Sequence, residues 1–173
     1  MKILINHKKL VQDNTWQDYR KVRAVIENEE GCFAISSEAG KYIFPGGKCD
    51  EGEEDIVAIQ REIKEEMGIE LSLDEFEKVL ELETLYDDAV DFRTGLIRPR
   101  HTITTYYYVK TNQSINPSNM NLTEGEIKEN FKISFVNKDK LLEMLSIKNE
   151  EAMNWHLFYE ENQVVVENII NKL

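Results

Sequence analysis

Residues 46–69 read GGKCDEGEEDIVAIQREIKEEMGI, and the fold is decided by how this stretch coils. At about 100° per residue, a helix over 55–67 gathers Ile56, Ile59, Ile63 and Met67 into one stripe, which is a buried face. Glu62, Glu65 and Glu66 fall on the adjacent arc, because residues three and four apart are neighbours on a helix. Three carboxylates therefore converge at the edge of the buried face, with Arg61 bordering Glu65. Gly68 supplies the stop.

This arrangement is locally unfavourable. Like charges at i and i+4 repel, and negative charge in a last turn opposes the helix dipole. Such penalties mark functional sites. A divalent cation would remove the repulsion, and clustered carboxylate oxygens are hard ligands suited to Mg²⁺ or Mn²⁺. Alone, an E-x-x-E-E triplet in a Glu-rich chain reads as a solvated acidic face. The triplet is not alone. Gly47, five residues, Glu53, seven residues, then Arg61-Glu62-Ile63-Lys64-Glu65-Glu66-Met67-Gly68-Ile69 resembles the Nudix box over its whole length, with seven identities and two apolar positions in register.

The resemblance implies a Nudix hydrolase with an α/β fold, an α/β/α sandwich around a mixed β-sheet. It implies metal-dependent cleavage of a phosphoanhydride in a nucleoside diphosphate linked to X, by water attack on phosphorus, giving a nucleoside monophosphate and P-X. Glu62, Glu65 and Glu66 become the metal ligands, for Mg²⁺ with Mn²⁺ able to substitute. Glu65 and Glu66, with Arg61 and Glu53, form the catalytic set. Arg61 serves to orient glutamates rather than to bind substrate. Some relatives draw a further carboxylate from a later loop, where this chain has Glu124, Glu126 and Glu129. Gly46 and Gly47, which let backbone approach an anion closely, line the site.

Substrate choice lies outside the box. The proline expected about sixteen residues after it in many ADP-ribose hydrolases is Leu85 here. Tyr86 stands where dinucleoside polyphosphate hydrolases carry a tyrosine. Nucleotide or dinucleoside polyphosphate substrates are therefore favoured, with an ADP-ribose or nucleotide-sugar pyrophosphatase as the alternative. A non-catalytic nucleotide-sensing domain is the competing class, disfavoured because the box is complete. The long segment 87–100 carries Arg93, Arg98 and Arg100, and one of these, or His101, is a candidate for substrate phosphate.

The rest of the chain fits one domain. A length of 173 residues with 41% apolar content supports a single core over 1–173, with 1–20 as an N-terminal and 149–173 as a C-terminal helical extension. A net charge of −12 disfavours duplex nucleic acid and anionic membranes as partners, leaving a small phosphorylated nucleotide-type substrate and a monomer or homodimer. Cys32 and Cys49 form no metal or redox spacing, and no signal peptide or membrane span is evident, which predicts a cytoplasmic protein.

Alternation and turn chemistry predict a short strand at 2–5, a hairpin of 22–27 with 32–36, and strands at 41–44, 79–86, 101–109 and 130–136. Trp16 reads as a packing anchor. Ser72 with Glu75 predicts a capped helical turn. Residues 111–124 read as a surface loop. Asn137 caps a helix over 138–145, and Asn149 caps a second helical region towards Leu173, broken near Glu161 and Asn162. There Trp155 and Phe158 read as core or dimer contacts.

Overall fold

The computed structural model describes residues 1–91 and 94–173. Arg93, one of the loop arginines singled out above, lies outside the described residues. Among the described residues seven strands form one mixed sheet: β1 (Lys2–Ile5), β2 (Gln17–Asn28), β3 (Phe33–Glu38), β4 (Lys41–Ile43), β5 (Glu77–Tyr86), β6 (Arg100–Thr111) and β7 (Lys132–Val136). Their order is β1-β5-β6-β2-β3-β4, with β7 paired to β3. At the centre, β2 and β6 run parallel over their whole length, from Gln17 against Arg100 to Asn28 against Thr111. The fold is α/β, as the box implied. Residues 17–20, grouped above with an N-terminal extension, begin this central strand.

Period-two alternation in β2 sends its side chains to two cores. Val22, Ala24 and Ile26 pack with Ile59, Ile63 and Met67 of α1 (Asp55–Met67) and with Tyr107 and Val109 of β6. Val25 faces the other way, into a core with Phe44, Leu82 and Tyr106. That second core is covered by Leu141 and Leu145 of α3 (Lys138–Leu145) and by Leu157 and Val165 of α4 (Trp155–Asn168). The sheet is thus sandwiched between α1 on one side and α3 with α4 on the other. Ile56 is only half-buried, and Ala58 completes the buried stripe of α1.

The caps behave as the residue types require. Gly68 ends α1 in the left-handed region at φ 67°, and a Cβ there would lie 2.1 Å from the Asn116 carbonyl oxygen. Asn137 caps α3 by accepting from the Lys140 amide at 2.9 Å. Glu75 accepts from the Ser72 amide at 2.6 Å.

Three expectations need correction. Asn149 does not cap the last helix; its side-chain amide donates to the Gly40 carbonyl at 2.9 Å, and Asn154 precedes α4. The helix also runs unbroken through Glu161, Asn162 and the valines at 164–166. Val165 is fully buried, so packing overrides the weak helix propensity of β-branched residues. Residues 111–124 are not all open loop. Asn116 and Asn121 donate their amides at 2.8 Å to the Met67 and Glu65 carbonyls, tying this segment to the end of α1. A short helix follows, α2 (Glu124–Lys128), announced by the capping box Thr123-x-x-Glu126. No helix among the described residues is long and apolar enough to cross a membrane.

Candidate active site

The glycine loop is laid along β2 by backbone pairing. Val22 donates to the Gly47 carbonyl and Ala24 to the Pro45 carbonyl, each at 2.9 Å. This fixes the loop beside Glu62 and Glu66 in the C-terminal half of α1, which rests on the same strand through Ile59 and Ile63. Gly46 adopts φ 127°, and an added Cβ would lie 2.3 Å from the Val22 carbonyl oxygen. At Gly47 an added Cβ would lie 2.5 Å from a Glu62 carboxylate oxygen. The absence of side chains at both positions is what brings loop and carboxylates together.

Arg61 organises the outer part of the site. Its guanidinium makes a two-bond fork to Glu53, with Nε and Nη2 each 2.9 Å from a carboxylate oxygen. Nη1 donates to Glu62 at 2.8 Å and to Glu65 at 3.2 Å. One cation therefore holds three box glutamates, and a bidentate pair is the geometry in which arginine binds most firmly. The fork to Arg61 is the main cause holding Glu53 below the usual carboxylate range, and the Glu53 hydrogen bond is the main cause raising Arg61.

The inner part is buried. Glu62 is 9% and Glu66 4% exposed. Glu66 accepts from the Gly46 amide at 2.8 Å. Burial pushes its pKa up to about 8, against the opposing effects of Arg23 and the Gly46 amide. Burial likewise raises Glu62, with Arg61 opposing. Arg23, on β2, donates to the Phe44 carbonyl at 3.0 Å and to the Gly46 carbonyl, so its charge sits beside both glutamates. The sequence reading passed over Arg23. Its signal was the alternation of β2, which places it between two buried apolar neighbours and opposite the loop.

The other candidates scatter. Tyr86 is 7% exposed within the second core, and its hydroxyl donates to Glu160 at 2.7 Å. An enclosed ring offers no face to a base. Arg98 lies exposed on the 87–100 segment, its backbone amide donating to the Ala89 carbonyl at 2.8 Å. Arg100 is buried, stacked 5.0 Å over Tyr19, and donates to the Val90 carbonyl at 3.1 Å. Both ring nitrogens of His101 are taken by carboxylates, Asp18 at 2.7 Å and Glu83 at 3.0 Å. Glu126 accepts from the amide and hydroxyl of Thr123 at 2.6 and 2.7 Å, yet its charge still reaches Glu66. Glu129 is exposed and acts on Glu38.

As they stand, no three His, Cys, Asp or Glu side chains among the described residues are gathered to hold a metal ion. Glu62 and Glu65 are turned to Arg61, and Glu66 to the Gly46 amide. The donor set nonetheless fits a hard divalent cation. It offers three carboxylates on neighbouring positions of one helix, two of them in a buried cradle that a Cβ at Gly47 would fill.

Residues 19–156 match the family model described as the NUDIX domain. Solved structures share the fold. A MutT protein from Methanosarcina mazei is 20% identical, with a TM-score of 0.55 over 88% of this chain and 97% of its own. A MutT from work on Aliivibrio salmonicida and Vibrio cholerae is also 20% identical, with a TM-score of 0.56 over 91% of this chain and 100% of its own. The MutT protein from Bacillus halodurans is 18% identical, with a TM-score of 0.53 over 83% and 82%. No curated protein sequence matches the chain.

Proposed function

Since the chain belongs to the NUDIX family of pyrophosphohydrolases, we propose that it cleaves the phosphoanhydride of a nucleoside diphosphate linked to X. Water attacks phosphorus, and the products are a nucleoside monophosphate and P-X. The observation that carries this reading is the shared cradle of Gly46, Gly47, Glu62 and Glu66, braced by Arg23 on one side and Arg61 on the other.

Glu62, Glu65 and Glu66 would hold Mg²⁺, with Mn²⁺ able to substitute. Bound there, the cation would polarise phosphoryl oxygens and lower the pKa of an attacking water. The chain's own residues do the rest. Arg61, locked to Glu53, sets the orientation of Glu62 and Glu65 and can yield them without leaving its place. Glu65 is the most exposed of the three and the best placed to take a proton from water. The Gly46–Gly47 backbone permits close approach of the substrate's phosphates. Arg23 offsets the charge that gathers beside Glu62 and Glu66.

With Tyr86 enclosed, its argument for dinucleoside polyphosphates lapses, and the reading rests on nucleotides as a class. We take the partner to be a small phosphorylated molecule of the cytoplasm; a net charge of −12 argues against duplex nucleic acid and anionic membranes, and the local cations must meet the phosphate. The test is a panel of nucleoside triphosphates, dinucleoside polyphosphates, ADP-ribose and nucleotide sugars. Hydrolysis of at least one should appear with Mg²⁺ or Mn²⁺, fall to background with a chelator and return on adding metal. Full activity in metal-free buffer would overturn the carboxylate site, and tight binding without product would point to a sensor.

A further inference from the structure

On the sheet face opposite α1, β2 carries Lys21 and Arg23, and the register of β6 sets Thr104 directly beside Lys21. α4 covers this patch with Phe158 and Glu161. The Lys21 and Lys41 ammoniums stand 5.6 and 4.8 Å from the centre of the Phe158 ring. Glu161 is 8% exposed, and Lys21 is the strongest opposite charge acting on it, followed by Arg23 and Arg100. Yet no hydrogen bond or ion pair ties either Lys21 or Glu161 to another described residue. The Thr104 hydroxyl, also buried, has no partner. Burial lowers Lys21 to about 8 and raises Glu161, so neither charge is well compensated.

Lys21 is half-buried, Glu161 buried and the Thr104 hydroxyl fully enclosed, and gathering an ammonium, a carboxylate and a hydroxyl that make no hydrogen bond among the described residues is costly. Their combination limits what could satisfy them. A second phosphate would meet the Glu161 carboxylate, and a cation would meet Lys21. A neutral group with an N–H donor beside a carbonyl or ring-nitrogen acceptor satisfies both. The edge of a nucleobase has that form. The distance also suits. Arg23, which touches the Gly46 carbonyl, is two residues along the strand from Lys21, or about 7 Å. The patch therefore begins where the anhydride site ends.

We propose that Lys21 and Glu161 are specificity-determining residues that read the hydrogen-bonding edge of the substrate's nucleobase, with Phe158 as the wall that holds the lysines. This rests on the pyrophosphohydrolase reading of the neighbouring site. Glu161 lies beyond residues 19–156, so the pair is only half contained in the family match.

The test is calorimetric binding of the four common ribonucleoside 5′-monophosphates and of ribose 5-phosphate to the full chain in metal-free buffer. The wild type should bind at least one monophosphate ~10-fold or more tighter than ribose 5-phosphate, a modest gap for a hydrogen-bonding site. Lys21→Met and Glu161→Gln should each shrink that gap several-fold while leaving ribose 5-phosphate affinity unchanged, which a merely structural role would not do. If either single variant melts early, the double variant leaves no lone buried charge and should show the same loss. A wild type with no gap, or variants that keep the whole gap, would overturn the assignment. Product formation is measured separately. Anhydride cleavage without a base gap rejects the subsite and spares the reaction; a base gap without cleavage does the reverse.

Discussion

Glu66→Gln should lower turnover roughly hundredfold or more at saturating substrate while leaving the fold intact. Gln keeps the shape and can still accept from the Gly46 amide, so the loop contact survives. What disappears is the charge on a carboxylate buried beside Glu62, which is the property a cation would need. The stability effect has the opposite sign. Glu66 has its pKa raised to about 8 in the folded chain against an ordinary value of 4.5, because burial disfavours its ionised form. Between those values the unfolded state holds fewer protons, so in metal-free buffer this residue costs stability progressively as pH rises from about 5 to 8. The variant lacks that cost. Its melting temperature should equal the wild type's near pH 5 and exceed it near pH 8. A variant that melts far below the wild type at both pH values would show that Glu66 is a structural buttress.

Gly46→Ala should be severely damaging to both fold and activity. The backbone there has φ 127°, a region that side chains rarely adopt, and the new Cβ would lie 2.3 Å from the Val22 carbonyl oxygen. That neighbour is the backbone of the central strand and cannot swing aside. Strain and overpacking together should cost about 3 kcal/mol or more. Activity should fall further than stability alone explains, because the Gly46 amide holds Glu66 and its carbonyl holds Arg23. Gly52→Ala is the control: its φ is 77°, but an added Cβ meets nothing within 4 Å. It should lose about 1 kcal/mol from backbone conformation and keep its turnover. Equal losses in the two variants, read by denaturant melts and initial rates, would mean the loop is not held as described.

How much of this was legible in the sequence depends on the range of the forces involved. The bounds of α1 were readable because its acidic arc, most of its stripe and Gly68 are set by spacing within a few turns, with Ile56 giving its buried place to Ala58. The hairpin of β2 with β3, the cap at Asn137 and the turn at Ser72 are equally local. The C-terminal region was misread where long-range packing decides. Val164 to Val166 favour a strand by themselves, but burial of Val165 against the sheet keeps α4 helical. Tyr86 failed as a site residue for a related reason. A strand position is visible in sequence, but which face becomes core depends on the helix that covers it, and α4 lies some seventy residues away. Arg23, Lys21 and Glu161 were missed on the same grounds. Each is an ordinary charged residue until β2 and α4 are brought together. Only the box, where chemistry is concentrated in one helix and one loop, announces itself.

The most direct measurement is the position of the oxygen that enters. Hydrolysis in ¹⁸O-labelled water with Mg²⁺, followed by mass spectrometry of both products, distinguishes attack on phosphorus from attack elsewhere. A site built from carboxylates, a glycine loop and a bound divalent cation aims water at phosphorus. The account predicts one ¹⁸O per turnover on a phosphate, with glycosidic and ester bonds intact, and loss of labelled product in Glu66→Gln or with a chelator. Label on a sugar or alcohol carbon, or undiminished labelling by Glu66→Gln in metal-free buffer, would contradict it.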